Sequence, residues 1–116
     1  MARWLRIKPT SEPHRYSIQF AEYQIGNPFI RSLHGGVVGS MIEICAELDL
    51  AERLPGAHTE LVSAAIDYLR VTRDADLHAR VEEIRIARRL AFMGVWCWQD
   101  DEALPVARGS CTLRIT

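Results

Sequence analysis

Two adjacent glycines, Gly35 and Gly36, precede a segment with the apolar spacing of an α-helix. Glycines at this place leave the backbone N–H groups of the first helical turn open to a ligand, and these groups carry the positive end of the helix dipole. They could bind an anion or the oxyanion that develops when a carbonyl group is attacked. His34 precedes the glycines and could act as a base, although orienting the glycine turn is the simpler interpretation.

Glu43 is the acid that could act together with these donors. At about 100° per residue it falls on nearly the same helix face as Gly36, Ser40 and Glu47, about two turns beyond the glycines. Its neighbours in the sequence are apolar. Because an unpaired buried charge is costly, this carboxylate must be solvated, paired or used in chemistry. An ordinary solvated glutamate remains the alternative, and no Gly-x-Ser-x-Gly segment indicates a serine hydrolase.

Arginine and cysteine side chains elsewhere in the sequence could also bind a ligand or react. Arg88 and Arg89 could bind the phosphates of a nucleotide-like carrier, although a solvated turn explains them almost as well. The three cysteines, at positions 45, 97 and 111, form no Cys-x-x-Cys or Cys/His cluster. Neither a disulfide framework nor a metal site is indicated, and a reducing, cytoplasmic setting is expected.

Length and composition indicate a single domain over residues 1–116. The chain has 116 residues, 48% of them hydrophobic, which is enough for one core. A net charge of −1 argues against a nucleic-acid or anionic-membrane partner, since those require a basic excess. We expect neither a signal peptide nor a membrane span, because no apolar run has the required length. The small size favours a homo-oligomer.

The pattern predicts one long helix from Gly36 to about Leu54, ended by Pro55-Gly56. Its apolar surface extends most of the way round, so we expect the helix to be buried. Residues 1–15 are predicted to form a loosely structured lead-in. Residues 16–24 could form a short strand or a helix, and Asn27-Pro28 indicates a turn.

The rest of the chain predicts strands at 61–71, 77–86, 90–98 and 104–115. The alternation changes phase before Ile84, which indicates a β-bulge. One buried helix followed by hairpin-linked strands predicts an α+β fold, with an antiparallel β-sheet wrapped around the central helix.

These motifs together resemble a known family. His34-Gly35-Gly36, with an acid nine positions after the histidine, resembles the signature of the PaaI-like branch of the hot-dog-fold thioesterases. The segments 66–70, 75–77, 88–92 and 107–112 resemble strand sequences of that family in the same order. The resemblance extends over roughly residues 25–115.

The resemblance implies a hot-dog fold and a homodimer whose strands pair edge to edge, often paired again into a homotetramer. It implies an active site at the dimer interface with no metal and no cofactor, coenzyme A being part of the acyl-CoA substrate. Glu43 matches the catalytic carboxylate, as general base or nucleophile, and the Gly35 N–H matches the donor that polarises the thioester carbonyl. Gly36, Ser40, Arg88 and Arg89 are expected to bind substrate.

Two positions depart from the family pattern. The family commonly has an asparagine six residues before the histidine, where this chain has Pro28, and Asn27 could take its place after a one-residue shift. A hydroxyl or acid usually comes from the opposing subunit, where Leu61 stands here and Ser63 is the candidate substitute.

Because of these departures, a non-catalytic function remains an alternative, in which the protein only binds acyl thioesters. The acyl group could be carried by coenzyme A or by an acyl-carrier protein. A hot-dog dehydratase or hydratase is less favoured, since His34 lies in the glycine turn.

Overall fold

A computed structural model of the chain describes residues 5–116, which form one long helix packed against an antiparallel sheet. The helix, α1, extends over Gly35–Arg53, and a short 3₁₀ turn covers Glu22–Gln24. The strands are β1 (Lys8–Pro9), β2 (Arg15–Ile18), β3 (Ile25–Asn27), β4 (Ser32–Leu33), β5 (Thr59–Tyr68), β6 (Leu77–Ile86), β7 (Leu90–Trp98) and β8 (Ala107–Ile115). The predicted α+β architecture is confirmed.

The main sheet has six strands in the order β1-β2-β6-β7-β8-β5, each antiparallel to its neighbours, and β3 and β4 form a separate pair. Successive side chains of a strand point to opposite faces. On β6, β7 and β8 the residues directed at the helix are buried and apolar, and include Leu77, Val81, Met93, Val95, Cys111 and Leu113. The core therefore lies between this face and α1.

Gly109 allows the helix to approach the sheet closely. A Cβ atom built on Gly109 would lie 2.3 Å from Cγ2 of Ile42, a separation that side chains do not adopt. The missing side chain on β8 thus provides the space in which Ile42, itself fully buried, packs. This contact fixes the middle of α1 against the centre of the sheet.

The helix is buried on most of its circumference, as predicted, but one strip remains open. Gly36 and Glu47 are exposed on this strip, and Ser40 and Glu43 are half-buried. The helix ends as predicted: the N–H of Leu54 donates to the carbonyl oxygen of Leu50, and the following turn places the glycine of Pro55-Gly56 at a φ of +83°.

The strand boundaries agree with prediction to different degrees. β7 has the predicted bounds, and the predicted bulge of β6 lies between Glu83 and Arg85. β5 begins at Thr59 rather than Leu61 and ends at Tyr68 rather than Val71. β8 begins at Ala107 rather than Leu104. Residues 16–24 contain both a strand end and a helical turn.

The predicted loose lead-in needs correction where the structure describes it. Lys8–Pro9 pairs with β2, which begins at Arg15, and residues 1–4 of the lead-in lie outside the described residues. Pro9 is compatible with a strand here because β1 is at the sheet edge, where a missing N–H is tolerated. None of the helices described in residues 5–116 has both the length and the apolar character that a membrane span requires.

Candidate active site

His34 starts the helix and leaves two backbone donors open. Its Nδ1 atom accepts a hydrogen bond from the N–H of Val37 at 3.2 Å, and its carbonyl oxygen accepts from the same group at 3.0 Å. The N–H groups of Gly35 and Gly36 make no hydrogen bond to any residue between 5 and 116. They therefore remain available to an oxygen atom of a ligand at the positive end of the helix.

The loop before the helix is held from two sides. The N–H of His34 donates to the carbonyl oxygen of Gln24 at 2.9 Å, and a Cβ on Gly26 would lie 2.3 Å from Cβ of His34. On the other side, the N–H of Leu33 donates to the hydroxyl of buried Thr72 at 3.0 Å. These contacts position the histidine cap, and with it the two glycines.

Glu43 lies on the open strip, two turns beyond the glycines. No hydrogen bond or ion pair joins its carboxylate to another of the described residues. Seven residues of helix span about 10 Å, and helical side chains slant towards the N-terminus, so the Glu43 side chain extends back in the direction of the two donors.

Burial and the carboxylates of Glu43 and Glu47 raise the pKa values of groups near the open strip. Partial burial, and then the nearby charge of Glu43, raise the pKa of Glu47 above its ordinary value. Burial, followed by the charges of Glu43 and Glu47, raises the pKa of the Cys111 thiol to about 11. The charges of Glu43 and Glu47 thus act on a thiol of β8, the strand next to the β5 edge.

The cysteines are not nucleophiles in this structure. Cys45, Cys97 and Cys111 are buried and unbridged. Burial, and then the neighbouring Cys111, raise the pKa of Cys97 to about 12. A thiol reacts as its thiolate, so these three groups are inert at neutral pH.

A cleft of about 500 Å³ opens beside the helix start. Its apolar wall includes Ile30, Leu33, Val38, Leu69 and Val71. Of the predicted site residues, only Gly35 lines it. An apolar cleft next to two backbone donors suits a ligand with an apolar chain attached to a carbonyl group.

Tyr68 is a residue of this site that sequence reasoning missed. It lines the cleft at the end of β5, and its hydroxyl donates to the carbonyl oxygen of Gly35 at 3.0 Å. The sequence holds one relevant signal, since Tyr68 belongs to the segment 66–70 that resembles the thioesterase family. The contact itself joins residues 33 positions apart and has no local pattern.

Asn27 and Ser63 have other positions in the single chain. The side-chain oxygen of Asn27 accepts the N–H of Phe29 at 3.0 Å, which stabilises the turn through Pro28. Ser63 is in register with Thr112 and therefore points to the outer face of the sheet, away from the helix. A bulge between Leu61 and Ser63 causes this change of face.

Arg88 and Arg89 lie far from the glycines of their own chain. They are exposed at the β6–β7 turn, and no ion pair engages either within the described part of the chain. This turn is at the Thr59 end of β5, whereas Gly35 is at the Tyr68 end. The nine residue steps between these ends span about 30 Å.

The sequence matches the acyl-CoA thioesterase N-terminal domain family over residues 26–114. This match covers most of the chain. The chain belongs to that thioesterase family. No curated protein sequence shows significant similarity to this thioesterase-family chain.

Solved structures agree with the family match. A thioesterase-superfamily protein is 26% identical, with 98% of this chain and 86% of the other covered and a TM-score of 0.83. A Bacillus halodurans protein solved with CoA is 16% identical, with coverages of 99% and 74% and a TM-score of 0.84. A phenylacetic acid degradation-related protein from Ralstonia eutropha is 20% identical, with coverages of 97% and 87% and a TM-score of 0.82.

These likenesses confirm the predicted hot-dog fold and membership of the hot-dog thioesterase superfamily. Among residues 5–116 no group of three His, Cys, Asp or Glu side chains is placed to hold a metal ion.

Proposed function

We propose that this thioesterase-family chain hydrolyses acyl-CoA thioesters by means of Glu43 and the two glycine N–H groups. The observation that carries the proposal is their common placement: both free donors start the helix, and Glu43 lies on the same open strip without a partner among the described residues. The apolar cleft beside Gly35 would receive the acyl chain.

In the proposed reaction the thioester oxygen accepts hydrogen bonds from the N–H groups of Gly35 and Gly36. Glu43 takes a proton from water, whose oxygen attacks the carbonyl carbon. The negative charge moves to the carbonyl oxygen, where the two donors and the helix dipole stabilise it. The C–S bond then breaks, and the coenzyme A thiolate leaves and takes up the proton. Direct attack by Glu43, through a mixed anhydride that water then cleaves, is the alternative route.

The proposed working form is a homodimer paired along β5. This strand ends the sheet with unpaired backbone groups along one side, and it carries exposed apolar residues such as Val62 and Tyr68. Free edges of this kind pair readily with a second copy. The strip with Glu43 borders the same edge, so the partner would cover it.

Dimer pairing also gives the arginines a role. Two-fold pairing of β5 with its copy is antiparallel, so the Thr59 end of the partner meets the Tyr68 end of the first chain. The partner's β6–β7 turn, with its own copies of Arg88 and Arg89, would then lie at the end where Gly35 opens. We propose that these arginines bind the phosphates of coenzyme A in the opposite subunit's site.

A non-catalytic acyl-thioester-binding protein is the second candidate. It is favoured by the positions of Asn27, engaged in its own turn, and of Ser63, directed to the outer face. Neither supplies a polar group next to Glu43 in the single chain. The three free thiols support a reducing compartment such as the cytoplasm for either function, and the motif around His34 supports placement in the PaaI-like branch.

A panel of acyl-CoAs assayed for free thiol tests hydrolysis directly. Because the protein's own thiols are buried with raised pKa values, they will not compete with released coenzyme A for the thiol reagent. Metal-independent hydrolysis predicts unchanged rates after chelation. Crotonyl-CoA consumed without thiol release would indicate a hydratase instead.

Glu43→Gln tests the mechanism. The amide keeps the size of the side chain but is neither base nor nucleophile, so we expect kcat to fall by about two orders of magnitude or more. Glu52→Gln, the same change at an exposed position of α1, is the control and should retain wild-type turnover. Near-wild-type turnover in folded Glu43→Gln protein would remove Glu43 from the mechanism, and acyl-CoA binding without turnover in the wild type would favour the binding protein.

A further inference from the structure

Tyr68 covers the first turn of the helix from the side of β5. Its hydroxyl donates to the carbonyl oxygen of Gly35 at 3.0 Å. The same oxygen would be 3.6 Å from a Cβ on Gly35 and 3.3 Å from a Cβ on Gly39. The tyrosine thus fits against two glycines one turn apart, and its hydroxyl reaches the helix backbone because neither has a side chain.

The acceptor of this hydrogen bond belongs to a peptide group that carries a free donor. The carbonyl of Gly35 and the N–H of Gly36 lie in one peptide plane and point in opposite directions. A hydrogen bond that fixes the carbonyl therefore fixes the direction of the N–H. It also polarises the peptide group, which strengthens the N–H as a donor.

The Gly35 carbonyl also accepts the N–H of Gly39 within the helix, and the Tyr68 hydroxyl adds a second restraint from another element. The peptide group joins two glycines, which have the widest conformational freedom of all residues, and it lies at the exposed start of the helix. His34 caps Val37 rather than Gly36. Tyr68 is the side chain that hydrogen-bonds to the Gly35–Gly36 peptide within residues 5–116.

We propose that Tyr68 is a positioning residue for the thioester oxyanion. Its hydroxyl holds the Gly35–Gly36 peptide so that the Gly36 N–H is directed at the developing negative charge. This inference rests on the hydrolysis proposed above and adds a residue to it. Tyr68 acts through the backbone and takes no proton from the substrate.

Tyr68→Phe removes the hydroxyl and keeps the ring that packs on the glycines. Loss of a complete oxyanion donor lowers kcat by roughly 100- to 1000-fold. A donor that is present but less well directed should cost less, about tenfold in kcat, with little change in KM for the acyl-CoA. In ¹⁵N-labelled protein, the amide proton resonance of Gly36 should move, because its peptide group loses the hydrogen bond that the Tyr68 hydroxyl donates to the carbonyl.

Gly39→Ala is a second variant that keeps the hydroxyl. The new Cβ, at 3.3 Å from the tyrosine oxygen, would push it from the Gly35 carbonyl by a few tenths of an ångström. Alanine also favours the helix over glycine. We therefore expect kcat to fall while the melting temperature stays level or rises, a combination that a merely structural role of Tyr68 does not produce.

Tyr16→Phe is the matched control. The hydroxyl of Tyr16 donates to buried Asp49 at 3.0 Å, in the second half of the helix. Its removal should lower the melting temperature and leave kcat per folded protein unchanged. If Tyr68→Phe behaves like Tyr16→Phe, or if the Gly36 amide does not move, the positioning role is wrong.

The amide measurement requires no turnover. Absence of thiol release from every acyl-CoA in the wild type would contradict the proposed hydrolysis, while an unmoved Gly36 amide would contradict the role of Tyr68 whatever the activity. Unchanged kcat in an active Tyr68→Phe enzyme with a shifted amide would also overturn the inference.

Discussion

At the scale of single residues, the open strip of α1 brings together two carboxylates one turn apart. Glu43 has the free donors on one side and Glu47 on the other. Partial burial and the charge of Glu43 raise the pKa of Glu47 above its ordinary 4.5. The folded protein therefore holds the Glu47 proton more tightly than the unfolded chain does, so stability contributed at this position is lost as the pH rises above 4.5.

Replacing Glu47 with glutamine tests this relation. At pH 7 the variant should melt at a higher temperature than the wild type, because the amide carries no charge to desolvate or repel Glu43. The gain should shrink as the pH falls and vanish below about pH 4, where the carboxyl is protonated in both states. Thermal unfolding between pH 4 and pH 8 measures this, with Glu52→Gln as the control. A gain that persisted unchanged at pH 4 would contradict the electrostatic explanation.

At the scale of elements, the contact between Ile42 of the helix and Gly109 of β8 determines how closely the two layers approach. Gly109→Ala places a methyl group 2.3 Å from Cγ2 of Ile42 in a closed core. Overpacking of this kind costs about 1–3 kcal/mol or more.

We therefore expect Gly109→Ala to lower the free energy of unfolding by at least about 1 kcal/mol in urea titrations. Ser110→Ala, on the outward face of the same strand, should change it by less than about 0.5 kcal/mol. Ile42→Ala removes the clashing methyl group, so the double variant should be more stable than the sum of the two single changes implies. Strict additivity would show that the clash is relieved elsewhere.

The long elements could be predicted from sequence because their patterns are local. The helix has its apolar spacing and stop signal, and β7, whose sequence is apolar on both faces, has the predicted bounds. The pairs β1–β2 and β3–β4 include strands of two residues, too short for a periodicity. Ser63 could not be placed on its face, because the bulge after Leu61 reverses the alternation.

The partners of buried polar groups could not be predicted from the sequence either. Asp49 lies within the apolar pattern of the helix and is fully buried. It accepts hydrogen bonds from Tyr16 at 3.0 Å and Arg53 at 2.5 Å, and pairs with His14 at 2.8 Å. The sequence shows the carboxylate but not these partners, two of which lie more than thirty positions away. The candidate site shows the same difference: the glycines and Glu43 share one helix and were predicted together, whereas Tyr68 comes from β5 and was missed.

At the scale of the whole molecule, the outer face of the sheet is partly covered by arginine side chains, whereas the β5 edge is open. On the outer face, the guanidinium groups of Arg15 and Arg108 lie over the rings of Trp98 and Trp96, at 5.5 Å and 5.4 Å from the ring centres. Nothing in the described part of the chain covers the β5 edge in this way. Its residues are exposed or half-buried along the whole strand, next to the strip that holds Glu43. We therefore expect the proposed second copy to pair at this edge and complete the site.

Val62→Lys tests whether this edge forms the dimer. Val62 is 56% exposed and lies in the bulge, outside the register of β5 with β8, so the change should leave the fold of one chain intact. A lysine on an edge strand opposes pairing with another strand, because its charge cannot be buried there. We expect sedimentation velocity at micromolar concentration to give a dimer for the wild type and a monomer for Val62→Lys, with loss of hydrolysis. Leu104→Lys, at a 53% exposed position in the turn before β8, should remain an active dimer. A wild-type monomer with full activity would contradict the shared site, and a dimeric Val62→Lys protein would place the interface elsewhere.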